Sequence, residues 1–172
     1  YNGDADALIS GYSRSYPVTV KPIFEVIGRS PGVNKVATTN LMITSKGPLF
    51  LSDTSINIDP SSKDLAIIAK MTSDTVKMFG LEPNIAMVSY SNFGSSNHPM
   101  VLKVNEAVNY LHRNFPKLNV DGPVQSDFAL NKEMLKEKFS FSKLSGKNVN
   151  TLIFPNLDSA NTNYKVIKEL DN

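Results

Sequence analysis

From Pro60 onward the apolar periodicity switches repeatedly between a helical and an extended repeat, and this alternation restricts the fold more than any other feature of the chain. In residues 60–79, Pro60 suits a first turn, and Leu65, Ile68, Thr72, Val76 and Phe79 fall on one stripe before Gly80 stops it. "NIAMVSY" follows as a short strand whose composition predicts burial on both faces. Val101, Val104, Val108, Leu111 and Phe115 then repeat at helical spacing, and Pro116 ends that helix. "KLNVDGP" reads as a strand, Met134 and Leu135 sit in a modest helix, "NVNTLIFP" is a strand and "NLDSANTNYKVIKEL" a final helix. Such an order predicts an α/β fold: a mostly parallel sheet with helices on both faces. "VATTNLMIT" and "PLFLSDTSIN" flank "SKG" and predict a hairpin added at one edge. Further upstream, "DADALISGYSRSY" reads as a short helix capped by Asp4 or Asp6 and punctuated by Pro17. "VKPIFEVIG" reads as a second one closing on Gly28.

A chain of 172 residues suits one compact domain, expected as a single lobe over residues 1–172. At that length roughly 70% of the unfolded surface can be buried, so no disulfide or structural metal is needed. With no cysteine, disulfides, thiolate catalysis and Cys-ligated zinc are excluded, and His98 and His112 are too few for a His-rich metal site. The net charge of +2 comes from lysines scattered among acids, and "KEMLKEKF" alternates in sign as a solvated helix face does. Nucleic acid is therefore not an expected partner. No apolar run approaches the ~20 residues a membrane span requires, and a cytoplasmic location is expected. The start at "YNGDADALISG" and the stop within the helical pattern "YKVIKELDN" suggest one piece of a longer protein.

Ligands of open α/β sheets bind beyond the carboxyl ends of the strands, and three polar segments follow predicted strands here. In "SYSNFGSSNH" (89–98), Ser91, Asn92, Ser95 and Ser96 offer hydroxyls and amides, and Gly94 permits close backbone approach. The helix start at Pro99 is expected to leave N–H groups that favour an anion. The competing reading, usual for such loops, is a turn in which Asn97 or Ser96 caps the helix. No Walker or dinucleotide fingerprint decides between them. "VDGPVQSDFALN" (120–131) carries Asp121, Gln125 and Asp127, an acid pair or cation site by one reading, with Asp121-Gly122-Pro123 a plain turn by the other. "FPNLDSANTNY" (154–164) carries Asn156, Asn161 and Asn163, with Asp158 or Ser159 as cap. Arg14 suits a phosphate or carboxylate, or else a surface salt bridge. His98 is expected to help cap its helix and His112 to lie on the solvated side of its own. Asp53 and Asp59 read as turn and cap residues, weak as metal ligands. No catalytic residue and no metal site is assigned.

Taken together, "GDADALISGYSRSYP", "FLSDTSINIDP", "VSYSNFGSSNHP", "VDGPVQSDFALN" and "LIFPNLDSANTNYK" resemble, in this order, the motifs of the phosphate acetyl/butyryltransferase family. The wording is most similar to the transacetylase-like C-terminal region of bacterial multidomain NADP-dependent malic enzymes. Stand-alone transacetylases usually have a His-Thr-Thr-like stretch at Ser13-Arg14-Ser15 and Ser-Thr-Lys-Gly at Ser91-Asn92-Phe93-Gly94.

The resemblance implies an isocitrate/isopropylmalate dehydrogenase-like lobe, the second of two. Acetyl-CoA and phosphate would bind between lobes, and a catalytic Arg and Asp would lie beyond the last motif. It further implies a ligand set of Ser10, Arg14, Ser91, Asn92, Gly94, Ser95, Asn156 and Asn161 for acyl-CoA or phosphate. Two functions follow from it. The first is a regulatory and oligomerisation domain of a malic enzyme, sensing acetyl-CoA and itself silent. That enzyme converts malate to pyruvate, carbon dioxide and NADPH, with NADP and a divalent metal bound outside this chain. The second is part of an active phosphate acyltransferase that exchanges CoA and phosphate. A homo-oligomer, dimeric or larger, is expected in either case, and the hairpin "NLMITSKGPLFL" is either a pairing edge or buried.

Overall fold

The hairpin and the helix–strand alternation build one five-stranded sheet in the computed structural model, which describes residues 3–29 and 34–170. Its elements are α1 (Tyr16–Val26), β1 (Thr39–Thr44), β2 (Gly47–Ser52), α2 (Ser62–Met78), β3 (Asn84–Val88) and α3 (Pro99–Asn114). They continue as β4 (Asn119–Val124), α4 (Ser126–Ala129), α5 (Lys132–Lys138), β5 (Thr151–Ile153) and α6 (Leu157–Leu170). Strand order is β1-β2-β5-β3-β4. Only β1 runs antiparallel, paired with β2; the pairs β2–β5, β3–β5 and β3–β4 are parallel. The expected mostly parallel sheet with an edge hairpin is what forms. Within the hairpin β1 is half-buried, with Ile43 75% exposed.

Alternation along β3 divides the core. Ile85 and Met87 join Leu65, Ile68, Val104 and Leu111 under α2 and α3. Ala86 and Val88 pack on the opposite face with Leu135, Leu144, Leu152 and Ala160. A strand buried on both faces needs this continuous apolar run, and each fully buried Leu or Ile contributes roughly 1.5–3 kcal/mol. Helix α2 starts one residue later than its pattern predicts, because Ser61 and Asp64 form a reciprocal capping box after Pro60. Phe79 caps its end and is 57% exposed, so it is not part of the buried stripe.

By contact, the chain divides into two compact units, residues 1–36 and 37–172. The second holds the whole sheet. In the first, the helix expected over "DADALISGYSRSY" does not form, since Gly11 takes φ +117°, outside the helical region. The two short helices expected there are instead the single α1, which Pro17 opens from its first turn rather than punctuating. None of its residues is buried. Gly28, at φ +75°, follows its end as expected of a terminating glycine.

Asp121-Gly122-Pro123 is not a turn after a strand; it lies inside β4. Gly122 takes φ +145°, and a Cβ there would meet the Met87 carbonyl oxygen at 2.4 Å. The β3–β4 register shifts at this point, between Ala86 and Val88. Turn chemistry is thus used to bulge an edge strand, the one place where a proline costs the sheet no hydrogen bond. His112 is not on a solvated face either: its Nε2 lies 2.8 Å from the Val120 carbonyl and 3.9 Å from Asp121 Oδ1. No helix among the described residues is long and apolar enough to cross a membrane.

Candidate functional site

Strands β2, β5, β3 and β4 all point their carboxyl ends to one edge of the sheet, so the segments that follow them gather there. The segment after β3 is the most polar. Ser91, 3% exposed, places its Oγ 2.6 Å from Ser95 Oγ, and Ser95 Oγ also accepts from Asn92 N. Asn92 is clasped by Gln125, which follows β4. Gln125 N donates to Asn92 Oδ1 at 2.8 Å, Asn92 Nδ2 donates to Gln125 Oε1, and Gln125 Nε2 reaches the Tyr90 carbonyl at 2.9 Å. Phe93 N donates to the Pro123 carbonyl at 2.7 Å. Phe93 and Gly94 are both left-handed, φ +42° and +94°. A phenylalanine there costs about 1 kcal/mol, offset by its packing on Phe139 at 4.8 Å and Phe141 at 5.1 Å between ring centroids.

The donors offered to a ligand differ from those expected. Pro99 has no N–H, and His98 caps α3 itself, its Nδ1 accepting from Met100 N at 3.3 Å. Val101 N and Leu102 N both bond the His98 carbonyl. The helix start is therefore already satisfied, and Ser96 serves the loop by accepting from His98 N. Among the described residues, the N–H groups of Gly94, Ser96 and Asn97 have no partner. These three successive-turn amides, with the exposed edge of Ser95, are the anion-compatible part of the loop.

Behind β2 the chemistry is opposite. Asp53, 4% exposed, accepts from Thr38 N and Oγ1, from Ser55 N and Ile56 N, and from Asn57 N and Nδ2. Burial works to raise its pKa, yet the bonds from Thr38 and Asn57 together outweigh it and hold the carboxyl below its ordinary 3.8. Asp53 is thus the hub of its turn. Sequence reading noted it only as a turn former; the Ser at +2 and Asn at +4 were the available signal. Asp59 pairs with Lys103 of α3 at 2.6 Å, and Lys103 also donates to the Pro155 carbonyl at 2.9 Å. One lysine thereby joins the segments after β2 and β5 to α3.

The two asparagines of the third segment serve structure in part. Asn156, not Asp158 or Ser159, caps α6, its Oδ1 accepting from Ser159 N at 2.9 Å. Asn161 Nδ2 donates to the Thr54 carbonyl at 3.1 Å, fixing α6 to the Asp53 turn. Asn156 Nδ2 and Asn161 Oδ1 remain without partners among the described residues. Ser91, Asn92, Gly94 and Ser95 therefore share one loop, with Asn156 and Asn161 on the neighbouring strand's exit. Ser10 and Arg14 belong to the first unit. There they line a cleft of about 600 Å³ whose other wall is the apolar side of α1, including Val18, Pro22 and Ile23.

Asp121 and Asp127 do not pair. Asp121 accepts from Ser142 Oγ and Lys143 N, both at 2.8 Å, pinning residues 142–143 to the edge strand, while Asp127 is exposed in α4. Among the described residues no three His, Asp or Glu side chains are grouped to hold a metal. Neutral hydroxyls, amides and backbone N–H groups on a rigid loop can orient an anion and stabilise developing negative charge.

A parallel α/β sheet with a donor-rich loop at its carboxyl edge has a matching family. The chain belongs to the phosphate acetyl/butaryl transferase family, whose model matches residues 1–172. Its relatives include the phosphate acetyltransferase of Bacillus subtilis, 36% identical over 172 residues, covering 100% of this chain and 53% of that protein. They also include the NADP-dependent malic enzyme of Escherichia coli, 33% identical over 166 residues, covering 96% of this chain and 22% of that protein. A phosphotransacetylase structure from Streptococcus pyogenes superposes with a TM-score of 0.84 at 36% identity, over 93% of this chain and 49% of that one. The chain thus spans about half the length, or less, of these relatives.

Proposed function

We propose that this chain forms part of a phosphate acyltransferase that exchanges CoA and phosphate on an acyl group. The observation that carries the reading is the end-to-end match to a phosphate acetyltransferase, joined to a loop whose N–H groups at 94, 96 and 97 await an acceptor. In the exchange, a phosphate oxygen attacks the thioester carbonyl, the C–S bond breaks, and the CoA thiolate leaves and takes a proton. Negative charge passes through the carbonyl oxygen, and preorganised neutral donors lower that barrier. Ser91 and Asn92 hold the loop's shape; Gly94 and Ser95 present donors to phosphate or to the acyl oxygen. Arg14 and Ser10 offer a cation and a hydroxyl to a phosphate or carboxylate in their own cleft. Asn156 and Asn161 turn their unpartnered amide atoms to the ligand.

The test is acetyl phosphate formation from acetyl-CoA and phosphate by the intact protein. Turnover is expected, and Asn92→Ala should raise the KM for phosphate roughly fivefold, the loss of about one hydrogen bond's positioning. An intact protein that forms no acetyl phosphate sinks the reading.

A second reading is favoured by the malic enzyme match and by the Ser91-Asn92-Phe93-Gly94 wording: a silent regulatory and oligomerisation domain that senses acetyl-CoA. Coupling of that kind requires acetyl-CoA to bind two conformations unequally. Malate oxidation that falls on adding acetyl-CoA, with no acyl transfer, would select it. Light scattering of the intact protein reads the homo-oligomer expected under both.

A further inference from the structure

The opposite end of the sheet carries a cleft of about 350 Å³ between the last turns of α2 and α3 and the entries to β3 and β4. It lies roughly 15 Å from the loop after β3, the length of a five-residue strand. On α2 it is lined by Lys70, Ser73 and Lys77, successive neighbours on one helix face. Its apolar walls are Pro83, Phe115, Pro116 and Leu118, and Glu82 stands at the side.

Ser73 is the unusual member. It is fully buried, and its Oγ has no hydrogen-bond partner. The neighbouring hydroxyls in the same helix behave otherwise: Thr72 donates to the Ile68 carbonyl and Thr75 to the Met71 carbonyl, each four residues back. A buried hydroxyl left unpaired is costly and calls for a reason. The charges also stand apart from the usual surface pattern. Lys70 is paired with Asp74 and lies 5.8 Å over the Phe115 ring, but among the described residues Lys77 and Lys117 have no partner. Glu82 accepts one bond, from Asn119 Nδ2 at 3.2 Å, leaving its other oxygen open.

We propose that this cleft binds a nucleoside 5′-monophosphate. The proline and phenylalanine walls take a flat ring, Glu82 accepts from ribose hydroxyls, and Lys77 and Lys117 bracket the phosphate. Ser73 supplies the buried donor that orients the ring or sugar. A pocket of this size, mostly apolar with a few convergent polar groups, suits a ligand of that class. Both lysines partly answer the dipoles of the helices ending here, so a doubly charged phosphate touching both is the group that uses their charge most fully.

Calorimetry of the intact protein with AMP, adenosine and inorganic phosphate tests the proposal without reference to activity. AMP should bind at least about tenfold more tightly than either fragment, which corresponds to about 1.4 kcal/mol. The Lys77→Ala/Lys117→Ala protein should bind AMP no better than adenosine. Ser73→Ala should weaken AMP while leaving the melting temperature unchanged or raised, since it removes an unsatisfied hydroxyl. Asn92→Ala should leave AMP binding unchanged. The proposal is overturned by absence of AMP binding, by phosphate alone binding as well as AMP, or by loss of AMP binding in Asn92→Ala. It is overturned equally by a lower melting temperature in Ser73→Ala with AMP binding intact.

Discussion

The turn after β2 and the loop after β3 leave the same edge of the sheet and are held by opposite means. In the first, one buried carboxylate collects the backbone N–H groups of Thr38, Ser55, Ile56 and Asn57. In the second, neutral side chains bond each other and leave backbone N–H groups outward. A hub that consumes its donors makes a scaffold; a clasp that spares them makes a surface able to meet a ligand. The difference explains why the acidic turn carries no chemistry of its own and yet fixes Asn161, through the Thr54 carbonyl, beside the loop that does.

The largest effect should come from breaking the hub. Asp53→Ala strands several buried donors at once and should cost about 3–5 kcal/mol in urea unfolding, because each unsatisfied buried group costs about 1–3 kcal/mol. A loss below 1 kcal/mol would show that water replaces the carboxylate and would erase the contrast. Next comes acid. Since the folded pKa of Asp53 lies below its ordinary 3.8, ionised Asp53 favours the folded state at neutral pH. That contribution is lost as pH falls from the ordinary value through the lower folded one. Asp53→Asn should flatten the acid limb of the stability curve, read by thermal melts from pH 6 downward. The smallest effect belongs to the clasp. Gln125→Ala should cost only about 1 kcal/mol of stability, but it should raise the phosphate KM as Asn92→Ala does, with the sheet intact by circular dichroism. An unchanged KM would detach the clasp from the site.

Much of this arrangement can be read in the residues. Val101, Val104, Val108 and Leu111 mark α3 because one face is buried, and "NIAMV" marks β3 because both are. The errors have physical sources. Pro17 punctuates only if a helix precedes it; here it begins one, as proline in a first turn can. Asp121-Gly122-Pro123 has the composition of a turn because a bulged edge strand and a turn both need a positive φ and tolerate a missing N–H. Within the candidate site, the loop residues Ser91, Asn92, Gly94 and Ser95 were legible from hydroxyl, amide and glycine content. Gln125 was noticed without its role, because a clasp across 33 residues is set by tertiary packing and leaves no local spacing. The same is true of His112, whose carbonyl partner belongs to another element.

The clasp between Asn92 and Gln125 is uncharged on both sides, and this sets how the loop answers its surroundings. Counterions do not compete for amide pairs, whereas they do compete for a bound anion. Raising ionic strength should therefore weaken a phosphate held here while leaving the loop's own conformation untouched. Ligand loss and loop opening become separable events: salt drives the first, and only a change of sequence drives the second.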